Sequence, residues 1–123
     1  MAKAKPLISI VDDDESMREA LKGLMKSLGH RVEAAASAEE FLRSPHICRT
    51  SCLIADVQMP GMTGLQLCRA VKDSAFSSVK IIVYTAGMAS REDSMSAGCD
   101  GYFLKTDPLP NLRDAVRHFY ALA

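Results

Sequence analysis

The sequence predicts an α/β domain in which a parallel sheet of five strands is covered by helices on both faces. Short apolar segments alternate along the chain with segments whose apolar residues recur at helical spacing. This alternation is typical of parallel sheets, because each crossover helix must pack back onto the sheet. Two apolar segments end in carboxylates, at the sheet edge where open α/β sheets carry their sites. A chain of 123 residues is long enough for one such domain with its own core.

The first half of the chain predicts three strands and two helices. The strands are expected at residues 7–11, 32–35 and 52–55. Apolar side chains recur at helical spacing from Met17 to Leu28, and Gly29 suits the end of that helix. The segment Ser37 to Glu40 is a capping box, which predicts the start of the second helix.

The second half predicts a helix from about Gly64, strands at 79–84 and 101–104, and a final helix. The helix between the two strands, near residues 90–97, is the weakest of the set. Met95 is its only large apolar side chain, so it has little surface to bury. We therefore expect this fourth helix to be loosely held.

Three carboxylates are expected to meet at one edge of the sheet. Asp12 and Asp13 follow the first strand, and Asp56 follows the third. Because like charges in one crevice repel one another, such a cluster is costly unless a cation joins it. Oxygen-only ligands of this kind suit Mg²⁺ or Mn²⁺. Asp14 and Glu15, by contrast, suit the first turn of a helix.

Two further strands end in residues that can bind a phosphoryl group: Thr85 with Ala86, and Lys105 with Thr106. The order of these five positions resembles the receiver domain of two-component response regulators. The strings from Val11 to Arg18 and from Asp56 to Gly64 are similar to the family's first motif and phosphoacceptor loop. The resemblance covers nearly the whole chain. It implies a CheY-like, flavodoxin-like fold with strand order 2-1-3-4-5.

The resemblance also implies a role for each residue. Asp56 would be the phosphoacceptor, and the metal would be held by Asp13, Asp56 and the backbone carbonyl of Gln58, with Asp12 acting through a metal-bound water. The phosphoryl oxygens would be bound by the Thr85 hydroxyl, the backbone amide of Ala86 and Lys105. Tyr102, three residues before Lys105, would be the aromatic that turns inward on activation, although an ordinary half-buried aromatic gives the same pattern.

The sequence departs from the family at two positions. Thr106 stands where most members have a Pro after the Lys, so the bond between Lys105 and Thr106 is expected to be trans. The loop after the fifth strand is then expected to differ in shape. Gly87, two residues after Thr85, has no side chain to act on an attacking water, which affects the lifetime of the phosphoryl group rather than its formation.

We therefore expect residues 1–123 to form a single receiver domain with no output domain. Its phosphoryl donor would be a sensor histidine kinase or a histidine phosphotransfer protein. An unidentified protein target would bind the face built from the fourth helix, fifth strand and fifth helix, and a homodimer could use the same face. The protein would catalyse only its own phosphorylation and dephosphorylation.

A net charge of zero argues against direct nucleic-acid binding. No apolar run is long enough to span a membrane, and a cytoplasmic location is expected.

Four other functions share some of these features. A haloacid-dehalogenase phosphatase also uses an Asp nucleophile, but on its first strand and in an Asp-x-Asp motif. A flavodoxin-like cofactor carrier needs a hydroxyl-rich loop where this chain has Asp12 to Glu15. A receiver-like interaction module would never be phosphorylated. A zinc site on Cys48 and Cys52 would need distant ligands.

Overall fold

The computed structural model describes residues 7–76, 78–87 and 90–121, with side chains as far as residue 118. A single parallel sheet of five strands has the order β2-β1-β3-β4-β5, which confirms the predicted topology. The strands are β1 (Leu7–Val11), β2 (Arg31–Ala35), β3 (Thr50–Asp56), β4 (Lys80–Thr85) and β5 (Gly101–Leu104).

Helices follow each strand and cover both faces of the sheet. They are α1 (Glu15–Ser27), α2 (Ala38–Arg43), α3 (Gly64–Lys72), α4 (Arg91–Ser96) and α5 (Leu109–Ala121), with a short 3₁₀ turn at Ile47–Arg49. Local signals in the sequence set where they begin. Asp14 caps α1 by accepting the Ser16 N–H at 2.9 Å, and Thr63 opens α3 in a capping box with Gln66. None of the described helices is long and apolar enough to cross a membrane.

Two apolar cores lie on opposite faces of the sheet, because successive side chains of a strand point to opposite sides. Leu53, Val83 and Phe41 belong to the core beneath α2, α3 and α4. Ile54 and Ile82, their neighbours along the strands, belong to the core beneath α1 and α5. All five residues of β1 are buried, as expected for a strand covered on both faces.

The start of the β4–β5 pair is held by Asp100, the residue before β5. Its backbone N–H donates to the Ile81 carbonyl at 2.7 Å, and its carboxylate accepts the Ile81 N–H at 2.8 Å. The same carboxylate accepts Lys72 Nζ at 3.1 Å, and Lys72 also reaches the Val79 carbonyl at 2.9 Å. These residues form the Asp100 anchor, which joins the end of α3 to the two strands.

Helix α4 lies within the predicted range of residues 90–97 and is mostly exposed, in line with its few apolar side chains. Ser94 is its one buried residue, and Met95 is 45% exposed. The strand bounds differ from the prediction by at most two residues, most at β3, which begins at Thr50 instead of residue 52. The Thr50 hydroxyl explains the extension, since it is bonded to the buried Ser9 hydroxyl of β1 at 2.7 Å.

Candidate functional site

Asp56 is the last residue of β3 and lies 2% exposed at the carboxyl edge of the sheet. The strand before it is apolar and central, so the carboxylate is held at a fixed place. Its Oδ1 accepts the Gln58 N–H at 3.2 Å, and its Oδ2 accepts Lys105 Nζ at 3.1 Å. One carboxylate oxygen thus faces a turn amide and the other faces a cation.

Asp12 and Asp13 reach the same edge from β1, as predicted from the parallel arrangement of the strands. Each of the two, and Asp56, can place one carboxylate oxygen within 4.8 Å of the others. Asp12 is fully buried, whereas Asp13 is exposed. The cluster therefore consists of two buried acids, Asp12 and Asp56, and one exposed acid, Asp13.

Lys105 is the cation that faces this cluster. Its ammonium lies 3.1 Å from Asp56 Oδ2 and 3.9 Å from Asp12 Oδ2. Its backbone N–H donates to the Thr85 carbonyl at 2.8 Å, which fixes the end of β5 beside β4. Burial raises the pKa of Asp56; the hydrogen bond from Lys105 opposes the shift, and the charge of Asp12 adds to it. Because burial changes the pKa of Asp56 more than Lys105 does, additional positive charge would stabilise the ionised cluster.

The acids open into a cleft of about 480 Å³. It is lined by Asp13, Asp56, Gln58, Met59, Pro60, Ala86 and Lys105. Thr85, which directly precedes Ala86, is fully buried, and its hydroxyl accepts the Gly87 N–H at 3.2 Å. An anion in this cleft would face one ammonium and a strand end that carries a hydroxyl.

Tyr102 lies apart from the cleft. It is half-buried on β5, opposite Val83 in the sheet register, and packs against the core beneath α3 and α4. The Arg91 guanidinium of α4 is 5.8 Å from the centre of its ring. The ring therefore contacts α4 rather than the acids.

The loop after β5 has the trans bond that Thr106 predicts, since the described residues contain no cis peptide bond. Asp107 closes the turn: its carboxylate accepts the Leu104 N–H at 2.9 Å, and its own N–H donates to the Leu104 carbonyl at 2.9 Å. This pair of hydrogen bonds holds the turn that contains Lys105 and Thr106.

Tyr84 is a site residue that the sequence analysis missed. It is 4% exposed on β4, directly before Thr85, and its hydroxyl donates a hydrogen bond to Asp12 Oδ2. Lys105 Nζ lies 5.3 Å from the centre of its ring. Burial raises the pKa of Tyr84, and the hydrogen bond to Asp12 raises it further, so the phenol stays protonated. In the sequence it was an apolar strand residue, and only the fold shows where its hydroxyl points.

Gly64 and Glu39 shape the loop after Asp56. A Cβ on Gly64 would stand 2.3 Å from the Asp56 carbonyl oxygen, so only glycine fits where α3 begins. Glu39, from α2, accepts the Met62 N–H at 2.7 Å, and this hydrogen bond lowers the pKa of Glu39. The string containing Gly64 was noted in the sequence; the reach of Glu39 across 23 residues has no local signal.

The donor set fits a small, hard divalent cation. It consists of three carboxylates and lies beside a cleft, and oxygen ligands are those that Mg²⁺ and Mn²⁺ prefer. Within the described part of the chain, these three acids are the only group of three or more Asp, Glu, Cys or His side chains close enough together to hold a metal. Cys52 is buried and Cys48 is exposed, so the two do not share a surface.

Comparison with known proteins identifies the family. The sequence matches the response regulator receiver domain over residues 8–117. Response regulator protein TodT of Pseudomonas putida is 33% identical over 124 aligned residues, which cover 100% of this chain and 55% of TodT. The chain thus spans about half the length of the curated relatives it matches most fully.

Solved structures have the same fold. Chemotaxis protein CheY4 of Vibrio cholerae superimposes with a TM-score of 0.84 at 26% identity, over 94% of this chain and 98% of CheY4. Response regulator protein TrrA of Thermotoga maritima, solved in complex with Mg²⁺ and BeF, gives 0.82 at 30% identity, over 92% and 97% of the two chains. The chain therefore belongs to the response regulator receiver domain family.

Proposed function

We propose that this receiver accepts a phosphoryl group on Asp56 in a Mg²⁺-dependent reaction and passes the change to the face formed by α4, β5 and α5. The observation that carries the proposal is the buried Asp56 carboxylate, held beside Asp12 and Asp13 at the mouth of a cleft and paired with Lys105 at 3.1 Å. The donor would be a phosphohistidine on a sensor kinase or phosphotransfer protein.

In the reaction, an Asp56 carboxylate oxygen attacks phosphorus and forms an acyl phosphate. The bond from phosphorus to the donor nitrogen breaks, and the donor imidazole leaves with the electron pair and takes up a proton from solvent. Asp56 needs no proton removed, because an ionised carboxylate is already a nucleophile. The role of the protein is to bring two anionic groups together.

Asp13, Asp56 and the Gln58 carbonyl would hold Mg²⁺, with Asp12 behind them. The bound ion supplies positive charge that offsets repulsion between the carboxylate and the phosphoryl oxygens. Lys105 now contacts Asp56 and lies within 3.9 Å of Asp12, so it can move to the new phosphoryl oxygens without leaving the cleft. The Ala86 N–H and the Thr85 hydroxyl would bind the remaining oxygens.

Tyr102 and α4 would carry the signal outward. Tyr102 pairs with Val83, which lies two residues before Thr85 on β4 and therefore on the same face of the sheet, and the Arg91 guanidinium of α4 lies over the Tyr102 ring. A shift of the Thr85 hydroxyl toward the phosphoryl group would make room beside it for Tyr102. The receiver would turn over no external substrate, and residues 1–123 would act as one domain.

The test is incubation with acetyl phosphate and Mg²⁺, followed by intact mass and site mapping. The mass should rise by one phosphoryl group on Asp56, and chelation or Asp56→Asn should abolish the rise. Asp14→Asn is the matched control, because Asp14 only caps α1 and Asn caps equally well. Modification that persists in the Asp56 variant would contradict the assignment. Steady hydrolysis of a phosphate ester by the wild type would favour a phosphatase instead.

A further inference from the structure

Tyr84 is a buried side chain that contacts both the Asp12 carboxylate and the Lys105 ammonium. Its hydroxyl bonds to Asp12, and its ring lies beneath the Lys105 ammonium at 5.3 Å. The residues before it on β4, Ile81 to Val83, are aliphatic and fully buried. A hydroxyl at this depth requires a partner, and a phenylalanine would fill the same apolar space without that requirement.

The hydroxyl completes the hydrogen bonding of Asp12. Asp12 Oδ1 accepts the Asp14 N–H at 2.9 Å, and Oδ2 accepts the Tyr84 hydroxyl. Asp12 is fully buried, so bulk solvent does not supply these hydrogen bonds in the metal-free protein. The two donors hold the carboxylate in one orientation. They also stabilise its negative charge, which lies close to the like charge of Asp56.

We propose that Tyr84 is a positioning residue that stabilises Asp12 in the metal-free receiver and thereby weakens the affinity of the acidic cluster for a divalent cation. This inference rests on the proposed function, because it takes the cluster to be a Mg²⁺ site. The hydroxyl and the cation satisfy the same negative charge. The hydrogen bond therefore stabilises Asp12 less when the cation is bound, and the cation binds less tightly when the hydrogen bond is present. This coupling is reciprocal.

The experiment compares the wild type with Tyr84→Phe in a calorimetric titration with MgCl₂. The variant should bind Mg²⁺ more tightly, with a Kd lower by about threefold to tenfold, if roughly half the strength of one charge-assisted hydrogen bond is lost on metal binding. In chelator, the same variant should melt at a lower temperature than the wild type, because Asp12 loses a donor.

Ser9→Ala is the matched control. It removes a buried hydroxyl of β1 whose partner is the Thr50 hydroxyl of β3, at 2.7 Å. This pair lies away from the acids. It should lower the melting temperature while leaving the Kd for Mg²⁺ unchanged. A general loosening of the sheet would instead change the Kd of both variants together.

Tyrosine absorbance gives a second measurement, since the chain contains no tryptophan and three tyrosines. Adding Mg²⁺ should perturb the near-ultraviolet tyrosine spectrum of the wild type, and Tyr84→Phe should lose most of that perturbation. An unchanged or weaker Kd in Tyr84→Phe, or an undiminished spectral change, overturns the inference alone. A wild type that does not bind Mg²⁺ overturns the proposed function, and this inference with it.

Discussion

The two halves of the site are held in different ways. β1 and β3, which bring the acids, are central strands; β1 is buried throughout and β3 at six of its seven residues. β5, which brings Tyr102 and Lys105, is an edge strand, with three half-buried residues and one exposed. The chemistry of a phosphoacceptor needs fixed carboxylates, whereas a response needs a part that can shift at small cost. Under the proposed function, these two requirements would be met by different strands of one sheet.

The first way to break this comparison is to truncate an equivalent side chain on each half. Ile54→Ala on β3 should cost about 2–5 kcal/mol in unfolding free energy, because Ile54 is fully buried. Leu104→Ala on β5 should cost less than about 1 kcal/mol, because Leu104 is 37% exposed. Denaturant titrations of both variants measure the difference. Equal losses would show that β5 is held as firmly as β3.

The second test concerns the two ends of β5. Asp100→Ala should cost about 1–3 kcal/mol, because it leaves the buried Ile81 N–H without its carboxylate partner. Asp107→Ala removes a comparable hydrogen bond, to the Leu104 N–H, at the exposed end of the strand and should cost less. Thermal melts of the pair in chelator compare the ends directly. A larger loss in the Asp107 variant would reverse the assignment of the firmly held end.

The third test sharpens the account of the acidic half. Asp56→Asn should stabilise the metal-free protein by an amount on the order of 1 kcal/mol, because burial and Asp12 disfavour the ionised carboxylate more than Lys105 favours it. Asp13→Asn should have a smaller effect in the same direction, since Asp13 is exposed.

Melts with and without millimolar Mg²⁺ measure both effects. The ion should stabilise the wild type and do less for either variant. Marked destabilisation of both Asn variants in chelator would contradict the crowding of like charges.

The smallest expected effect concerns Thr85, on β4 between the two halves of the site. Thr85→Ala should still accept phosphate on Asp56 but should respond weakly elsewhere, because its hydroxyl is the proposed link to Tyr102. Hydrogen exchange over residues 90–106, with and without Mg²⁺ and beryllofluoride, reports the response. Thr85→Ser keeps the hydroxyl and should respond as the wild type does. A full response in the Ala variant would remove Thr85 from the coupling.

Much of the fold was predictable because its signals are local. The apolar strands, the Ser37 cap and the exposed α4 each follow from a few neighbouring residues, and the topology was confirmed. The meeting of Asp12, Asp13 and Asp56 also follows, since parallel strands end at one edge.

What the sequence could not show depends on contacts between distant segments. The bond from Tyr84 to Asp12 spans 72 residues, and the bond from Glu39 to the Met62 N–H spans 23. Tyr84 counts as an apolar strand residue in any periodic pattern. Its hydroxyl can be matched to a partner only when β1 and β4 are placed in one sheet. Tyr102 was ambiguous for the opposite reason, because a switch aromatic and a packing aromatic share one pattern.

The Asp100 anchor has a consequence for where β5 can shift. It clamps β4 to β5 and to α3 at the amino ends of the strands, while Thr85 and Lys105 lie at the carboxyl ends. β5 is also joined to β4 at its carboxyl end, by the hydrogen bond from the Lys105 N–H to the Thr85 carbonyl, but the side-chain bonds of Asp100 and Lys72 are all at the amino end. A displacement of a fraction of an ångström at Lys105 would shrink toward Asp100, so the first residues of β5 should stay in register whatever occupies the cleft.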